Sequence, residues 1–244
     1  MNKIEIRKLC KAFGSRVVLD NLDLSVKEKE SLVVLGRSGM GKSVLIKNIS
    51  TLLEPDSGSI KIDGEEITNL REREKFGLMN KFGYLFQGGA LFDSMSVWEN
   101  VAFKLLNNQK IGKKRAKQIA IEKLKIVDLD GSVADLLPVE LSGGMQKRVS
   151  LARAIACDPE IIFFDEPTTG LDPITAETIN DLIIKTVKIV GATAITITHD
   201  IHSAKRISDR IVLLNSGKIC WEGNSNNINA GDNEIIEKFM CACA

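Results

Sequence analysis

GRSGMGKS, at residues 36–43, is the first stretch of the chain whose residue types and spacing could do chemistry. It fits the P-loop pattern G-x-x-x-x-G-K-[ST]. Gly36, Arg37, Ser38, Gly39, Met40 and Gly41 form the loop. Its glycines permit unusual backbone angles and a close approach to phosphate. Successive backbone N–H groups then point inward, and the helix that follows presents its positive end. In this pattern Lys42 reaches the β- and γ-phosphates, and the Ser43 hydroxyl ligates Mg²⁺. A chance glycine loop is the competing reading. It is disfavoured because an apolar strand precedes the loop and helical periodicity follows it. Alone, the pattern implies only a bound nucleoside triphosphate.

A second candidate is IIFFDE, residues 161–166: four apolar residues followed by two carboxylates. Asp165, at the end of an apolar strand, suits a magnesium held through water. Glu166, one position on, suits a general base that polarises attacking water. A strand ending in a solvated acidic turn would be the plain alternative if the P-loop were absent. A third is LSGGMQKR, residues 141–148. Ser142, Gly143 and Gly144 at a helix start make another anion-binding N-terminus.

At this third segment the sequence resembles the ABC ATPases, whose diagnostic signature is LSGGQ; here Met145 takes the fifth position and Gln146 follows. The resemblance extends over essentially the whole chain. It implies that Ser142, Gly143 and Gly144 complete the site of a second copy, so that two chains clasp two ATP molecules head to tail. It also implies that Phe13 stacks on adenine and that Gln87 touches Mg²⁺ and the attacking water. Asp172, in TGLD, would link the two sites across the dimer, and His199 would contact the γ-phosphate. His202 matches no family role and reads as a surface residue. ATP and Mg²⁺ are the implied cofactors.

These residues need elements to carry them. Ile4 and Ile6 alternate with charged neighbours, and residues 17–26 form a second strand-like run. Further strands are expected at 31–36, 82–86, 161–165, 192–198 and 211–214. A helix is expected at 44–53 and another from Pro173. Residues 57–67 read as a turn and hairpin around Asp63-Gly64. From Gly88 to about Gly143 the pattern becomes helical, with 96–106 and 113–127 the clearest segments. The expected fold is α/β: a P-loop NTPase core of the ABC ATPase kind with a mostly parallel sheet, an antiparallel β subdomain and a helical subdomain. The expected division is residues 1–87 and 146–244 for the nucleotide-binding core with its β subdomain, and 88–145 for the helical subdomain.

The bulk properties are those of an ordinary globular protein: 244 residues, 44% hydrophobic, 27% charged, net charge +1. That balance does not suit a polyanion binder, so no nucleic-acid partner is expected. No apolar run has the length to cross a bilayer, and MNKIEIRKLC lacks the apolar block of a signal peptide. A cytoplasmic protein is expected. Cys10, Cys157, Cys220, Cys241 and Cys243 are odd in number with no CxxC pair, and read as reduced thiols. Cys241 and Cys243 stand close together, but no His or further Cys lies nearby in sequence to complete a metal site.

Residues 88–103, GGALFDSMSVWENVAF, and 165–179, DEPTTGLDPITAETI, resemble the ATPases of the Mla and Mce lipid-transport systems, including the chloroplast lipid importer. That resemblance implies work for transmembrane permease subunits at the inner face of the inner membrane, with an Mce-type substrate-binding protein as a further partner. Two rivals stand beside it: an ABC ATPase for another cargo, and a soluble ABC ATPase of the iron–sulfur assembly kind. The basic run at 110–117 reads as a solvated helix face in preference to a lipid-headgroup contact, and REREK at 71–75 as an exposed charged helix. A helical stretch is expected at 234–240. Some family members carry a longer tail, which leaves a tail-mediated dimer contact open.

Overall fold

The computed structural model describes residues 1–225 and residue 228. The helical expectation at 234–240 and the pair Cys241 and Cys243 lie outside them. The backbone gathers into two compact units. One is Met1–Met79 with Thr193–Ala244, and the other is Asn80–Ala192.

In chain order the first unit contains β1 (Asn2–Phe13), β2 (Arg16–Lys27), β3 (Ser31–Leu35), α1 (Lys42–Ile49), β4 (Ser57–Ile62), β5 (Glu65–Glu66) and α2 (Glu72–Met79). Strands β1, β2, β4 and β5 make an antiparallel sheet in the order β2-β1-β4-β5. Ile4 pairs with Val26 on one side and Ile62 on the other, and all three are buried. Asp63 and Gly64 have φ of 53° and 81°. Two consecutive positive φ values are what a tight hairpin turn needs, so the β4–β5 hairpin forms where the sequence places it.

The chain returns to this unit with β8 (Thr193–Thr198), α8 (Ile201–Ile207), β9 (Arg210–Asn215) and β10 (Lys218–Asn224). Strand β3 lies between β8 and β9, parallel to both, and β10 pairs antiparallel with β9. Leu32, Val33, Val34 and Leu35 have no exposed surface, nor do Ile195 and Ile197. Unbroken apolar burial is expected of parallel strands covered on both faces.

Two partly buried charges fasten this unit. Arg210 Nε and Nη2 donate to Glu30 Oε1 and Oε2 at 2.6 and 3.1 Å, and Nη1 donates to Glu222 Oε1 at 2.7 Å. Burial alone would raise the Glu30 carboxyl. The Arg210 guanidinium and the Lys27 amide outweigh it and hold the group below its ordinary value.

The second unit contains β6 (Phe82–Leu85), α3 (Val97–Val101), α4 (Phe103–Asn107), α5 (Lys113–Ile126), α6 (Gly143–Ala154), β7 (Ile161–Asp165) and α7 (Pro173–Val190), with 3-10 turns at Gly131–Asp135 and Pro138–Glu140. Strands β6 and β7 run parallel, Tyr84 opposite Phe163. Ile161, Ile162, Phe163 and Phe164 are fully buried. Helix α7 opens on Asp172 and Pro173 and closes on Gly191 at φ 70°.

Several elements differ from the sequence expectation. Helix α1 stops at Ile49 rather than running to 53, because Thr51 takes φ 60° and Glu54 precedes Pro55. The helix expected at 96–106 is divided at Ala102, whose ψ of 4° leaves the helical range. Neither α8 nor β10 was expected. REREK does begin an exposed helix: α2 has no buried residue. No described helix is long and apolar enough to cross a membrane. Cys10, Cys157 and Cys220 are free thiols.

Candidate functional site

The loop that leaves β3 is shaped by its glycines. A side chain at Gly36 would put its first carbon 2.6 Å from the Leu214 carbonyl oxygen. At Gly41, φ is 100° and the added carbon would stand 2.9 Å from the Val18 carbonyl oxygen. Gly39 has φ 79°, and a side-chain carbon there would make only an ordinary contact, 3.8 Å from Arg16 Nη2. The loop is held from one flank by Arg16, whose Nη2 donates to the Gly39 carbonyl at 3.2 Å. Gly41 then opens α1, and its carbonyl accepts from the Leu45 N–H at 2.9 Å. Lys42 is buried at 6% exposure, with Nζ donating to the Gly36 carbonyl at 2.5 Å and the Arg37 carbonyl at 3.3 Å. The ammonium is therefore curled over the loop, pointed at the backbone that a phosphate would occupy. Arg37, Ser38 and Gly39 are exposed, while Met40 and Ser43 are half-buried.

Phe13, at the end of β1, is half exposed. The Lys11 ammonium stands 5.7 Å from the centre of its ring and is paired with Asp56 at 2.7 Å. Asp56 also accepts from the Ala12 N–H at 2.6 Å, so one carboxylate pins the strand end that presents the ring. A flat aromatic surface held open to solvent can stack on a base. His199 follows β8 and is exposed. The next residue, Asp200, caps α8, accepting from His202 and Ser203 N–H at 3.0 and 3.1 Å. His202 is exposed, as expected.

In the second unit, β7 delivers Asp165 and Glu166. Glu166 is 7% exposed and takes φ 48°, a left-handed conformation that costs a non-glycine residue about 1–3 kcal/mol. Thr169 Oγ1 donates to Glu166 Oε2 at 3.1 Å and fixes one rotamer. Beside Asp165, burial raises the Tyr84 hydroxyl far above its usual value, and the Asp165 charge adds to this.

Ser142 caps α6: its Oγ accepts from the Met145 N–H at 3.3 Å. Gly143 is open, and a side-chain carbon at Gly144 would sit 3.1 Å from Thr175 Cγ2. Asp172 caps α7, accepting from Ile174 and Thr175 N–H at 3.1 and 3.0 Å and from Thr175 Oγ1 at 2.5 Å. Those bonds, the Thr175 hydroxyl first, hold its carboxyl below the ordinary range.

Gln87 is exposed just past β6, and its carbonyl accepts from Lys147 Nζ. Lys147 is 7% exposed. Burial lowers its ammonium pKa, and the charge of Asp165 opposes that fall. Nothing in the sequence marked Lys147, because a lysine on a polar helix reads as solvated. Asn100, also unmarked and fully buried, accepts from the Phe92 N–H and donates to the carbonyls of Phe92, Met95 and Ser96. Both would be found only by asking which buried polar side chain satisfies each loop carbonyl.

Contacts join some of the sequence-selected residues in two sets. One joins the loop 36–41 with Lys42 in the first unit. The other joins the Gln87 segment to α6, and Glu166 to Thr169, in the second. Each set presents backbone N–H groups or oxygen donors at the end of a strand or the start of a helix, which is equipment for phosphate and for a hard cation.

Residues 19–169 match the model of the ABC transporter family. The chain belongs to that family. It is 39% identical to the intermembrane phospholipid transport system ATP-binding protein MlaF of Haemophilus influenzae, over 98% of this chain and 90% of that one. It is 37% identical to the "Probable ribonucleotide transport ATP-binding protein mkl" of Mycobacterium leprae, over 97% of this chain and 68% of the relative. Among solved structures, the dimeric post-hydrolysis state of the ATP-binding cassette MJ0796 bound to ADP and Pi superposes with a TM-score of 0.82 at 32% identity, covering 91% of this chain and 98% of that one. The protein is accordingly an ABC-type ATPase with the α/β P-loop fold of that family.

Proposed function

We propose that this chain is the motor subunit of a transporter that moves phospholipid, or a related lipid, between membranes. The observation that carries the nucleotide half of the reading is the loop 36–41, where packing excludes a side chain at Gly36 and Gly41 and Lys42 lies over the backbone cradle. The lipid half is supported by residues 88–103 and 165–179, and by the likeness to MlaF, which is named for phospholipid transport.

In this reading Phe13 stacks on adenine. The N–H groups of Gly36, Arg37, Ser38, Gly39, Met40 and Gly41 hold the phosphates, and Lys42 exchanges its two carbonyl partners for the β- and γ-phosphates. Ser43, Gln87 and Asp165 are oxygen donors of the kind Mg²⁺ takes, and the ion when bound supplies charge neutralisation at the phosphates. Glu166 takes a proton from water as the water oxygen bonds to the γ-phosphorus. The bond from that phosphorus to the bridging oxygen breaks, and ADP leaves with the electron pair. His199 contacts the γ-phosphate. Ser142, Gly143, Gly144 and Asp172 serve the nucleotide of a second copy, so each chain supplies parts to two sites. Residues 88–145 form the helical subdomain that faces the permease, and 1–87 with 146–244 form the core. Two copies bind two membrane-spanning subunits at the cytoplasmic face of the inner membrane, with an Mce-type protein as a further partner and no nucleic acid.

One observation favours a second reading, another cargo: the mycobacterial relative is named for ribonucleotide transport. The test is a pull-down of the tagged chain from detergent-solubilised membranes, with mass spectrometry of co-purifying proteins and lipids. A permease with enriched phospholipid is expected. A permease without lipid enrichment overturns the cargo assignment, and recovery of no membrane protein overturns the transporter role.

A further inference from the structure

One face of α6 is bonded to the backbone of the segment after β6. Lys147 Nζ donates to the Gln87 carbonyl. Ser150 Oγ donates to the Gly89 carbonyl at 3.0 Å. Arg153 Nη2 donates to the same oxygen at 2.6 Å, and its Nη1 to the Ala90 carbonyl at 2.8 Å. Residues 147, 150 and 153 are three apart, so they share a helix face. The segment is built to meet them. Gly89 takes φ 76°, and a side-chain carbon there would stand 2.8 Å from Ser150 Oγ.

Three of the four bonds come from cationic donors, which make the shorter and stronger kind. Lys147 and Ser150 are buried, at 7% and 0% exposure. Removing Lys147 takes this donor from the Gln87 carbonyl, whereas the buried Gly89 carbonyl has two donors, so distortion of the segment breaks several bonds at once. The carbonyls of Gln87, Gly89 and Ala90 are all fixed from one helix. Rotation of the Gln87 peptide while α6 stays still would break the bond from Lys147. Helix α6 begins at Ser142, whose N-terminal amides form the second anion-binding turn.

We propose that Lys147 is a positioning residue for hydrolysis: with Ser150 and Arg153 it fastens the Gln87 segment to the helix that starts at Ser142, so that Gln87 and the signature turn move as one body. The inference rests on the roles of Gln87 and Ser142 given above. Beyond Ala90 the rigid path continues, because Asn100 grips the carbonyls of Phe92, Met95 and Ser96. A displacement applied to residues 88–103 then reaches both groups together.

The test is a double-mutant cycle on the full chain with Lys147→Met, Lys147→Arg and Gln87→Ala. It reads kcat, affinity for a non-hydrolysable ATP analogue, and Tm. Lys147→Met is expected to lower kcat about tenfold or more, as loss of an outer-shell partner does, with nucleotide affinity held. Lys147→Arg restores most of that loss. In the Gln87→Ala background Lys147→Met has less than about a twofold further effect, because the two act as a unit. Wild-type kcat in Lys147→Met overturns the proposal. So does an equal loss in both backgrounds, or a loss that follows Tm and is not rescued by arginine. If Lys147→Met does not fold, Ser150→Ala carries the same cycle, with Ser150→Thr, which keeps the hydroxyl donor, as the rescuing variant. Glu166→Gln, run in parallel, separates the two claims: wild-type turnover there removes the proposed hydrolytic site itself, whatever Lys147 does.

Discussion

Alanine substitutions at Gly36, Gly39 and Gly41 form a graded series whose order follows from the loop geometry. At Gly41 two faults coincide. The φ of 100° is unfavourable for alanine, and the added carbon meets the Val18 carbonyl oxygen at 2.9 Å. Left-handed backbone costs about 1–2 kcal/mol and overpacking about 1–3, together about 2–5 kcal/mol. For a chain of this length that lowers Tm by roughly 4–20 °C. Gly36→Ala has the clash alone, at 2.6 Å from the Leu214 carbonyl oxygen, and costs about 1–3 kcal/mol. Relief requires moving the Gly36 backbone, whose carbonyl is the Lys42 acceptor, so nucleotide affinity falls too. Gly39→Ala has the φ fault alone, with Arg16 Nη2 at 3.8 Å from the added carbon, and costs about 1–2 kcal/mol. The assay is thermal unfolding of the three variants without nucleotide, paired with titration of a fluorescent ATP analogue. Gly41→Ala as stable as the parent, or Gly39→Ala the least stable, would refute the reading that packing dictates these glycines.

Lys42→Ala removes the cation of the phosphate cradle, and nucleotide titration should show a lowered affinity with the fold intact by circular dichroism. An unchanged affinity counts against the role of Lys42. The Arg210–Glu30 pair makes a prediction in pH. The Glu30 carboxyl is held below its ordinary 4.5, so its contribution to stability is present above that value and is lost as pH falls through the lower, folded one. Urea unfolding from pH 7 down to about 3 should therefore show a shallower acid loss for Glu30→Gln than for the parent, and parallel curves would contradict it. Arg210→Met, which takes the guanidinium from the partly buried Glu30 carboxylate and leaves it the Lys27 amide, should cost about 1.5–3 kcal/mol at pH 7 in the same assay.

The glycine loop was legible in the sequence because its requirements are local: each glycine answers to φ or to an adjacent strand. The Asp63-Gly64 hairpin was legible for the same reason, and so was β7, since four apolar residues in a row suit a doubly covered strand. Where α1 would end was not. Residues 50–53 continue the apolar spacing, and the left-handed Thr51 stops the helix ahead of Pro55. Strand β10 escaped notice because its residues are only partly buried and its sequence, KICWEGN, carries weak alternation. Lys147, Arg153 and Asn100 were illegible for a deeper reason. Lys147 and Arg153 satisfy backbone carbonyls 60 to 64 residues away, and Asn100 satisfies loop carbonyls four to eight residues before it; neither duty leaves a trace in the hydrophobic pattern. The candidate residues that sequence did mark are those whose proposed chemistry is written in short motifs; the side chains bonded to their segments appeared only with tertiary structure.

The central claim is that this chain hydrolyses ATP with Glu166 as the base. Its most direct test is single-turnover hydrolysis by Glu166→Gln beside equilibrium ATP binding by the same variant. Turnover reduced by about 10²-fold or more, with binding at the parental level, is the predicted result for loss of a general base. Parental turnover with the carboxylate replaced by an amide would contradict it.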